Sequence, residues 1–219
     1  MTVSDMLLAV CMFLVAALYT TVGHAGASGY LALMGLFGVA PDVMRPTALV
    51  LNIVVSSFTV WRFWRAGLFR WRVLWPFLIG AIPMGFVGGA MVLPTHIYRP
   101  VVGIVLFIAA ARFLWPKLFP AAPEARDPPI LLAMVCGGAI GLLSGLTGTG
   151  GGIFLSPLLL VLGWSQVRIA SGVAALFIWF VSLAGLLGNI SSVNALPSEL
   201  PFYLGAVLAG AVIGTAHGT

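Results

Sequence analysis

Long apolar segments, separated by short polar or glycine-rich segments, make up most of this chain. Seven apolar segments have the length that a helix needs to cross a bilayer; they are Met6–Val22, Thr47–Phe63, Val73–Leu93, Ile97–Leu114, Ile130–Leu146, Val167–Leu187 and Leu200–Thr215. Two further apolar segments, Tyr30–Val39 and Ile153–Leu162, are too short to span. The pattern predicts an all-α polytopic membrane protein with seven spans and two short helices.

Composition agrees with this prediction, since 61% of the 219 residues are hydrophobic and only 7% are charged. A soluble domain of this size could not cover its surface with so few charges. The net charge of +5 is spread over short loops, with four arginines in Trp61–Arg72, which predicts a cytoplasmic face and gives no sign of a nucleic-acid partner. Cys11 and Cys136 lie in apolar segments, so we expect no metal site, and nothing in the sequence indicates a cofactor.

Two glycine-rich segments interrupt the apolar pattern. The stronger is Thr147–Pro157, TGTGGGIFLSP, and the weaker is Gly23–Gly29, GHAGASG. A run of glycines is unfavourable in a helix, and broken backbone at membrane depth is tolerated where it lines a cavity. Both segments are therefore predicted to be breaks, each followed by a short helix.

The two breaks are equivalent positions in a predicted internal repeat. Gly23 and Gly26 lie 125 residues before Gly148 and Gly151. Two transmembrane repeats, 1–115 and 130–219, are expected on either side of a proline-rich cytoplasmic linker, 116–129. The arginine-rich loop of the first repeat corresponds to a loop without basic residues in the second, which favours inverted repeats. The second repeat ends where its last helix should begin, so this helix is expected to be missing, whether lost or cut off by truncation.

The breaks have the chemistry of an anion site. A helix that starts after a break presents unpaired N–H groups and the positive end of its dipole, and glycine lets a ligand approach the backbone. The predicted substrate-binding residues are Gly26, Ser28, Gly29, Thr147, Gly148, Thr149, Gly150, Gly151 and Gly152, with Ser156 as a further hydroxyl donor. The spans contain almost no acidic residues, which argues against a cation site.

Five polar residues near the breaks are candidates either to line the mouths of a pore or to couple ligand binding to a proton: His24, Arg45, Asn52, Arg168 and Ser171. Imidazole changes charge near neutral pH, so His24 is interpreted either as a proton relay or as a hydrogen-bonded structural residue. Arg45 and Arg168 each start a span at equivalent positions. They either attract anions at the pore mouths or anchor the helices at the membrane surface.

The segment Gly141–Gly163, GLLSGLTGTGGGIFLSPLLLVLG, resembles the signature of the sulfite exporter TauE/SafE family of membrane permeases. The resemblance implies a secondary transporter of small sulfur-containing anions, such as sulfite, thiosulfate or sulfonates, with eight spans in two repeats. Its partners would be the anion and the lipid of the inner membrane, joined by protons if His24 acts as a relay. The first break is degenerate, with His24, Ala25, Ala27 and Ser28 where glycines could stand, which leaves the choice of anion open.

Two alternatives remain from the residues alone. A permease for another small solute, such as a monocarboxylate, would need the same broken helices. The sequence Gly26-Ala27-Ser28-Gly29 also matches the pattern of rhomboid-type intramembrane serine proteases, with Ser28 as nucleophile. Such an enzyme needs a histidine within reach of the serine in mid-span, and the sequence offers none there, so no catalytic residue is expected.

Overall fold

The computed structural model describes residues 2–114 and 126–218, and within these ranges the chain is helical, with no strand. The helices are α1 Val3–Thr21, α2 Ala27–Leu36, α3 Pro41–Arg65, α4 Trp71–Ala90, α5 Thr95–Leu114, α6 Ile130–Thr147, α7 Gly152–Val161, α8 Val167–Gly188 and α9 Leu200–Gly218, with a 3-10 turn at Ile190–Ala195. The all-α prediction is confirmed. Most of the predicted linker, 116–125, lies outside the described residues.

Five of the predicted spans are confirmed as helices long and apolar enough to cross a membrane: α1, α3, α4, α6 and α8. The described apolar parts of α5 and α9, Thr95–Phe107 and Leu200–Ala216, are shorter, so their crossing of the bilayer stays a prediction. The short helices α2 and α7 have ten residues each; α7 agrees with its predicted segment to within one residue, whereas α2 begins and ends three residues before the predicted Tyr30–Val39.

Glycines allow α4 and α6 to pack with their backbones in contact. A Cβ atom on Gly137 would collide with the carbonyl oxygen of Phe77, and one on Gly145 would collide with that of Gly85. Small residues at such contacts are typical of helix pairs in membranes. Because these contacts advance together along both helices, α4 and α6 run in the same direction.

The helices α1 and α9 form a second pair of this kind. A Cβ atom on Gly210 would collide with the carbonyl oxygen of Phe13, and one on Gly214 with that of Ala17, so α1 and α9 are also parallel to each other. The packing is reciprocal: the first helix of each predicted repeat packs against the fourth helix of the other, α1 against α9 and α6 against α4.

The two parallel pairs run in opposite directions. The loop Ala66–Arg70 defines one face of the molecule, which we call the arginine-rich face. Arg62, near the end of α3, donates to the carbonyl oxygen of Thr215 at 3.5 Å, so α9 ends at this face. Arg70 forms an ion pair with Asp127 at 3.1 Å, so α6 begins there. The equivalent helices α1 and α6 therefore have opposite directions, which is the arrangement that the predicted inverted repeats require.

The helices α3 and α8 pack against each other in the middle of the bundle. In the 18-residue apolar stretch of each helix, 61% of the residues of α3 and 67% of those of α8 are buried, against 28% for α1. Their facing surfaces carry polar side chains, because the Asn52 amide of α3 donates to the Ser182 hydroxyl of α8 at 3.2 Å. The centre of the molecule is therefore both the most enclosed region and a polar one.

Candidate functional site

The first break joins α1 to α2 and is shorter than the predicted segment, since it covers Gly23–Gly26 and Ala27–Gly29 already belong to α2. Gly23 and Gly26 have φ angles of 76° and 97°, in the left-handed region that favours glycine. Gly23 lies against the backbone and Cβ of Ser171, and no side chain could be added there without a collision. Gly26 is the N-cap of α2 and supplies no side-chain hydrogen bond to the first turn of that helix.

The second break joins α6 to α7 and has the same plan; it covers Gly148–Gly151 and is also shorter than its predicted segment, because α7 begins at Gly152. Gly148 and Gly151 have φ angles of 86° and 77°, and Gly150 between them has 75°. Gly151 is the N-cap of α7, again without a side-chain cap. The Thr147 hydroxyl donates to Leu143 O at 2.7 Å, and its oxygen lies 3.0 Å from the hydroxyl of Thr149, so the two threonines form one polar pair at the start of the break.

The two breaks meet around one small buried space, the inner cavity, with a volume of about 10 Å³. Its lining residues are Tyr19, His24, Ala25, Gly26, Ala27, Ser28, Asn52, Thr149, Ile153 and Ile178. This volume holds about one water molecule. The structure thus brings the predicted residues His24, Gly26, Ser28, Asn52 and Thr149 together at one small site.

His24 connects the two breaks directly. Its ring Nε2 lies 2.9 Å from the carbonyl oxygen of Gly152, the first residue of α7, and 3.2 Å from the hydroxyl of Ser156. Its Nδ1 lies 3.0 Å from the carbonyl oxygen of Val22, where α1 ends. The side chain is 7% exposed, so these contacts are made away from solvent.

Other polar side chains in and beside the inner cavity are buried. The Ser28 hydroxyl donates to the Tyr19 oxygen at 3.2 Å, a contact that disfavours a nucleophilic role because a nucleophilic serine donates to a base. Asn52 Oδ1 and the Ser144 hydroxyl are fully buried and have no hydrogen-bond partner among the described residues. Such atoms are costly unless a partner arrives.

The electrostatics of the site come from dipoles and neutral hydroxyl groups. The uncapped first turns of α2 and α7 lie at the same cavity, so their N–H groups and the positive ends of both helix dipoles are available to a ligand. Among the described residues, no Asp, Glu, Lys or Arg lines the inner cavity. The described residues also contain no cluster of three or more His, Cys, Asp or Glu side chains that could hold a metal ion.

The structure separates Arg45 from Arg168. Arg45 is only 6% exposed, and its guanidinium donates to three carbonyl oxygens at the end of α4, those of Gly88 at 2.7 Å, Gly89 at 2.5 Å and Met91 at 2.9 Å. It thereby caps the negative end of the α4 dipole. Arg168 lies exposed at the start of α8.

Arg45 also borders a larger space, the outer cavity, of about 300 Å³. The outer cavity lies away from the arginine-rich face, where α3 begins and α4 ends; it is lined by Pro41, Asp42, Arg45, Val92, Leu93, Pro94, Thr95, Tyr98, Asn189 and Ser192. A Cβ atom on Gly148 would lie 3.3 Å from the carbonyl oxygen of Arg45, and the Tyr98 hydroxyl donates to the carbonyl oxygen of Thr147 at 2.9 Å. The outer cavity therefore reaches the start of the second break.

Three other predicted residues lie beside the inner cavity without lining it. Gly29 faces Val15 of α1, where a Cβ atom would collide, and Gly152 faces Ile178 in the same way. The Ser171 hydroxyl donates to Val167 O within α8 at 3.1 Å.

Sequence reasoning did not single out Tyr19, Ser144 and Ser182. Tyr19 and Ser144 precede Gly23 and Gly148 by four residues each, so one polar side chain stands one helical turn before each break. The repeat offset of 125 residues relates these two positions and could have found them. The offset does not relate Ser182 to Asn52, since these residues are 130 positions apart. They come together only because α3 packs on α8.

An all-helical chain with five helices of bilayer length, and with a buried polar cavity between two broken helices, has the architecture of a multi-pass membrane transporter. The family model for Sulfite exporter TauE/SafE matches residues 8–219. A protein of Sinorhizobium fredii (strain NBRC 101917 / NGR234), described as "Probable membrane transporter protein y4hK", is 39% identical over 215 residues, which cover 97% of this chain and 87% of that protein. No solved structure matches the chain significantly. The chain therefore belongs to the sulfite exporter TauE/SafE family and is a membrane transporter.

Proposed function

We propose that this protein is a secondary transporter of a small sulfur-containing anion, such as sulfite, thiosulfate or an organosulfonate, in the inner membrane, and that transport is coupled to protons. The observation that carries the proposal is the meeting of two uncapped helix starts at one buried cavity. The family name supports the sulfur-containing substrate.

The chemistry of the inner cavity suits an oxyanion. Backbone N–H groups at a helix start bind negatively charged oxygen atoms, and the hydroxyl groups of Ser28 and Thr149 add donors of the same kind. A cation would meet the positive ends of two helix dipoles without a lining carboxylate to balance them. Neutral donors also hold an anion less firmly than an arginine would, which favours its release on the other side.

Access to the site requires movement, because a cavity of about 10 Å³ cannot hold an anion of several heavy atoms. We propose that the two repeats are inverted copies that move against each other and open the site to one face at a time. The outer cavity is the route from the face opposite the arginine-rich loop. Breaking the hydrogen bond from Tyr98 to Thr147 would open its inner end.

Uptake into liposomes tests the proposal. Purified protein is reconstituted and offered labelled sulfite, thiosulfate, an organosulfonate and acetate, each with and without a pH gradient. We expect saturable uptake of at least one sulfur-containing anion. Gly151→Ala should abolish this uptake, because the left-handed backbone and the contacts of Gly151 with Ser144 and Phe177 exclude a side chain.

Gly205→Ala is the matched control, since a Cβ atom on Gly205 in α9 would have no neighbour within 4 Å. Gly205→Ala should transport like the wild-type protein. A wild-type protein that prefers none of the sulfur-containing anions would overturn the substrate class.

A permease for small monocarboxylates is the second candidate. The observation in its favour is that Ile153 and Ile178 form one wall of the inner cavity, where the methyl group of an acetate ion could pack while its carboxylate faces the helix starts. Uptake of acetate in clear preference to the sulfur-containing anions would establish this alternative.

A further inference from the structure

We propose that His24 is a proton-binding site of the transporter, and that its protonated ring joins the two breaks while the anion is bound. This inference rests on the proposed function and deepens it by naming the proton site. Its starting point is the hydrogen bond between Nε2 of His24 and the carbonyl oxygen of Gly152, which links residues 128 positions apart.

Both ring nitrogens of His24 face carbonyl oxygens. Nδ1 lies 3.0 Å from the oxygen of Val22, and Nε2 lies 2.9 Å from the oxygen of Gly152. A carbonyl oxygen only accepts hydrogen bonds, and a neutral imidazole has one N–H. A neutral ring would therefore direct one nitrogen lone pair at an oxygen lone pair. Imidazolium donates at both positions and satisfies both contacts.

Ser156 gives the neutral ring a different set of partners. When the ring keeps its proton on Nδ1 and donates to Val22, Nε2 becomes an acceptor. The Ser156 hydroxyl, 3.2 Å away, can donate to it. Gly152 then loses its hydrogen bond from the first break. Loss of the proton thus exchanges the hydrogen bond from His24 to the Gly152 backbone for one that Ser156 donates to His24.

Among the described residues, those that line the inner cavity beside His24 carry no formal charge. Tyr19 of α1 is the other titratable side chain in the lining of the inner cavity; α3 contributes Asn52, and α7 contributes Ser156. Tyr30 of α2 donates to the carbonyl oxygen of Ala25. An imidazolium would place a positive charge in this lining, facing a bound anion, and at so buried a site the two charges stabilise each other.

This arrangement couples the proton to the anion. The anion favours the protonated ring, and the protonated ring holds Val22 and Gly152 in the conformation that closes the site. One proton therefore binds with each anion, and opposite charges cross the membrane together. Release of either ligand weakens the binding of the other, as linkage requires.

The transport test uses liposomes that contain a pH-sensitive dye, with the wild-type protein and two variants. In His24→Gln the side chain can no longer take up a proton, but it stays polar and can still donate to a carbonyl oxygen. His96→Gln is the matched control, because His96 lies exposed at the start of α5. With an acidic exterior, thiosulfate uptake by the wild-type protein should rise at least about fivefold, the lower end of usual coupling between sites, and protons should enter with the anion.

His24→Gln should lose both the response to the pH gradient and the proton movement, whereas His96→Gln should keep both. A His24→Gln protein that still moves protons with thiosulfate would overturn the inference and leave the proposed function intact. A wild-type protein that transports none of the anions would overturn the proposed function.

A second measurement decides the inference independently of transport. Nitrogen NMR of ¹⁵N-labelled histidine in lipid nanodiscs distinguishes a ring with two N–H groups from a ring with one. We expect a doubly protonated signal that is absent in His24→Gln and that disappears over the same pH range in which thiosulfate binding weakens. A His24 ring that carries one proton throughout that range would refute the proposal.

Discussion

Gly26 and Gly151 hold the same position in the two breaks: each is the N-cap of a ten-residue helix, with a left-handed φ of 97° and 77°. An L-residue in this conformation costs about 1–2 kcal/mol. Their surroundings exclude a side chain as well, since a Cβ atom on Gly26 would lie 2.8 Å from the ring and hydroxyl of Tyr30. Conformation and contact together explain why glycine stands at both positions.

Substitution at Gly150 separates packing from ligand binding. In Gly150→Ala the added Cβ would collide with the Asn52 amide and lie 3.1 Å from Ser182, so it would push apart the pair that joins α3 to α8. We expect uptake to fall at least about tenfold, with a modest fall in melting temperature. Gly205→Ala again serves as the control. A variant that melts early but transports normally would show that Gly150 only packs helices.

Arg45 should matter for stability much more than Arg168. In Arg45→Met the three carbonyl oxygens at the end of α4 lose their donor, and we expect the free energy of unfolding to fall by about 1–3 kcal/mol. Thermal melting in detergent measures this change. The exposed Arg168→Met is the matched control and should melt like the wild-type protein. Equal effects of the two substitutions would contradict the capping role of Arg45.

The contrast between these arginines shows where prediction from sequence ends. Both lie near the start of a long helix. The apolar runs, with the prolines and glycines at their ends, were enough to predict these helices. The orientation of Arg45 depends on the end of α4, which lies more than forty residues later in the chain. No local pattern specifies that contact, since it arises only when the folded chain brings the start of α3 to the end of α4.

The inner cavity could be predicted in part. Glycine runs at equivalent offsets indicate the two breaks. Because broken backbone inside a membrane is tolerated where it lines a cavity, the breaks are predicted to face a site. Ser182 escaped because a serine inside an apolar helix has no distinguishing local pattern. The 3-10 turn at Ile190–Ala195 escaped as well, because its serines and asparagine are as typical of an irregular loop as of a turn.

Asn52 tests whether the inner cavity prefers negative charge. Asn52→Asp changes the shape of this fully buried side chain very little but places a carboxylate in the lining of the cavity. Repulsion in so enclosed a place should weaken anion binding at least about tenfold. Ser182→Ala removes the partner of the Asn52 amide without adding charge, and should weaken binding much less. Calorimetric titration with thiosulfate makes the comparison; tighter binding by Asn52→Asp would exclude an anion site.

Single-cysteine labelling tests the predicted inversion of the repeats. Ala66 lies exposed in the loop between α3 and α4, and Ser191 lies exposed in the turn after α8, the equivalent position of the second repeat. Ala66 lies in the loop that defines the arginine-rich face, where α6 begins and α9 ends. Ser192, the neighbour of Ser191, lines the outer cavity on the opposite side. The two positions should therefore react from different sides of the membrane.

The test requires Cys11→Ala and Cys136→Ala as the background, because both native cysteines are partly exposed. Ala66→Cys and Ser191→Cys are then treated in intact cells with a reagent that does not cross the membrane. We expect Ser191→Cys to react in intact cells and Ala66→Cys to react only after lysis, since arginine-rich loops stay in the cytoplasm. Labelling of both from one side would mean that the halves are parallel, and the two breaks could not then open alternately to opposite faces as proposed.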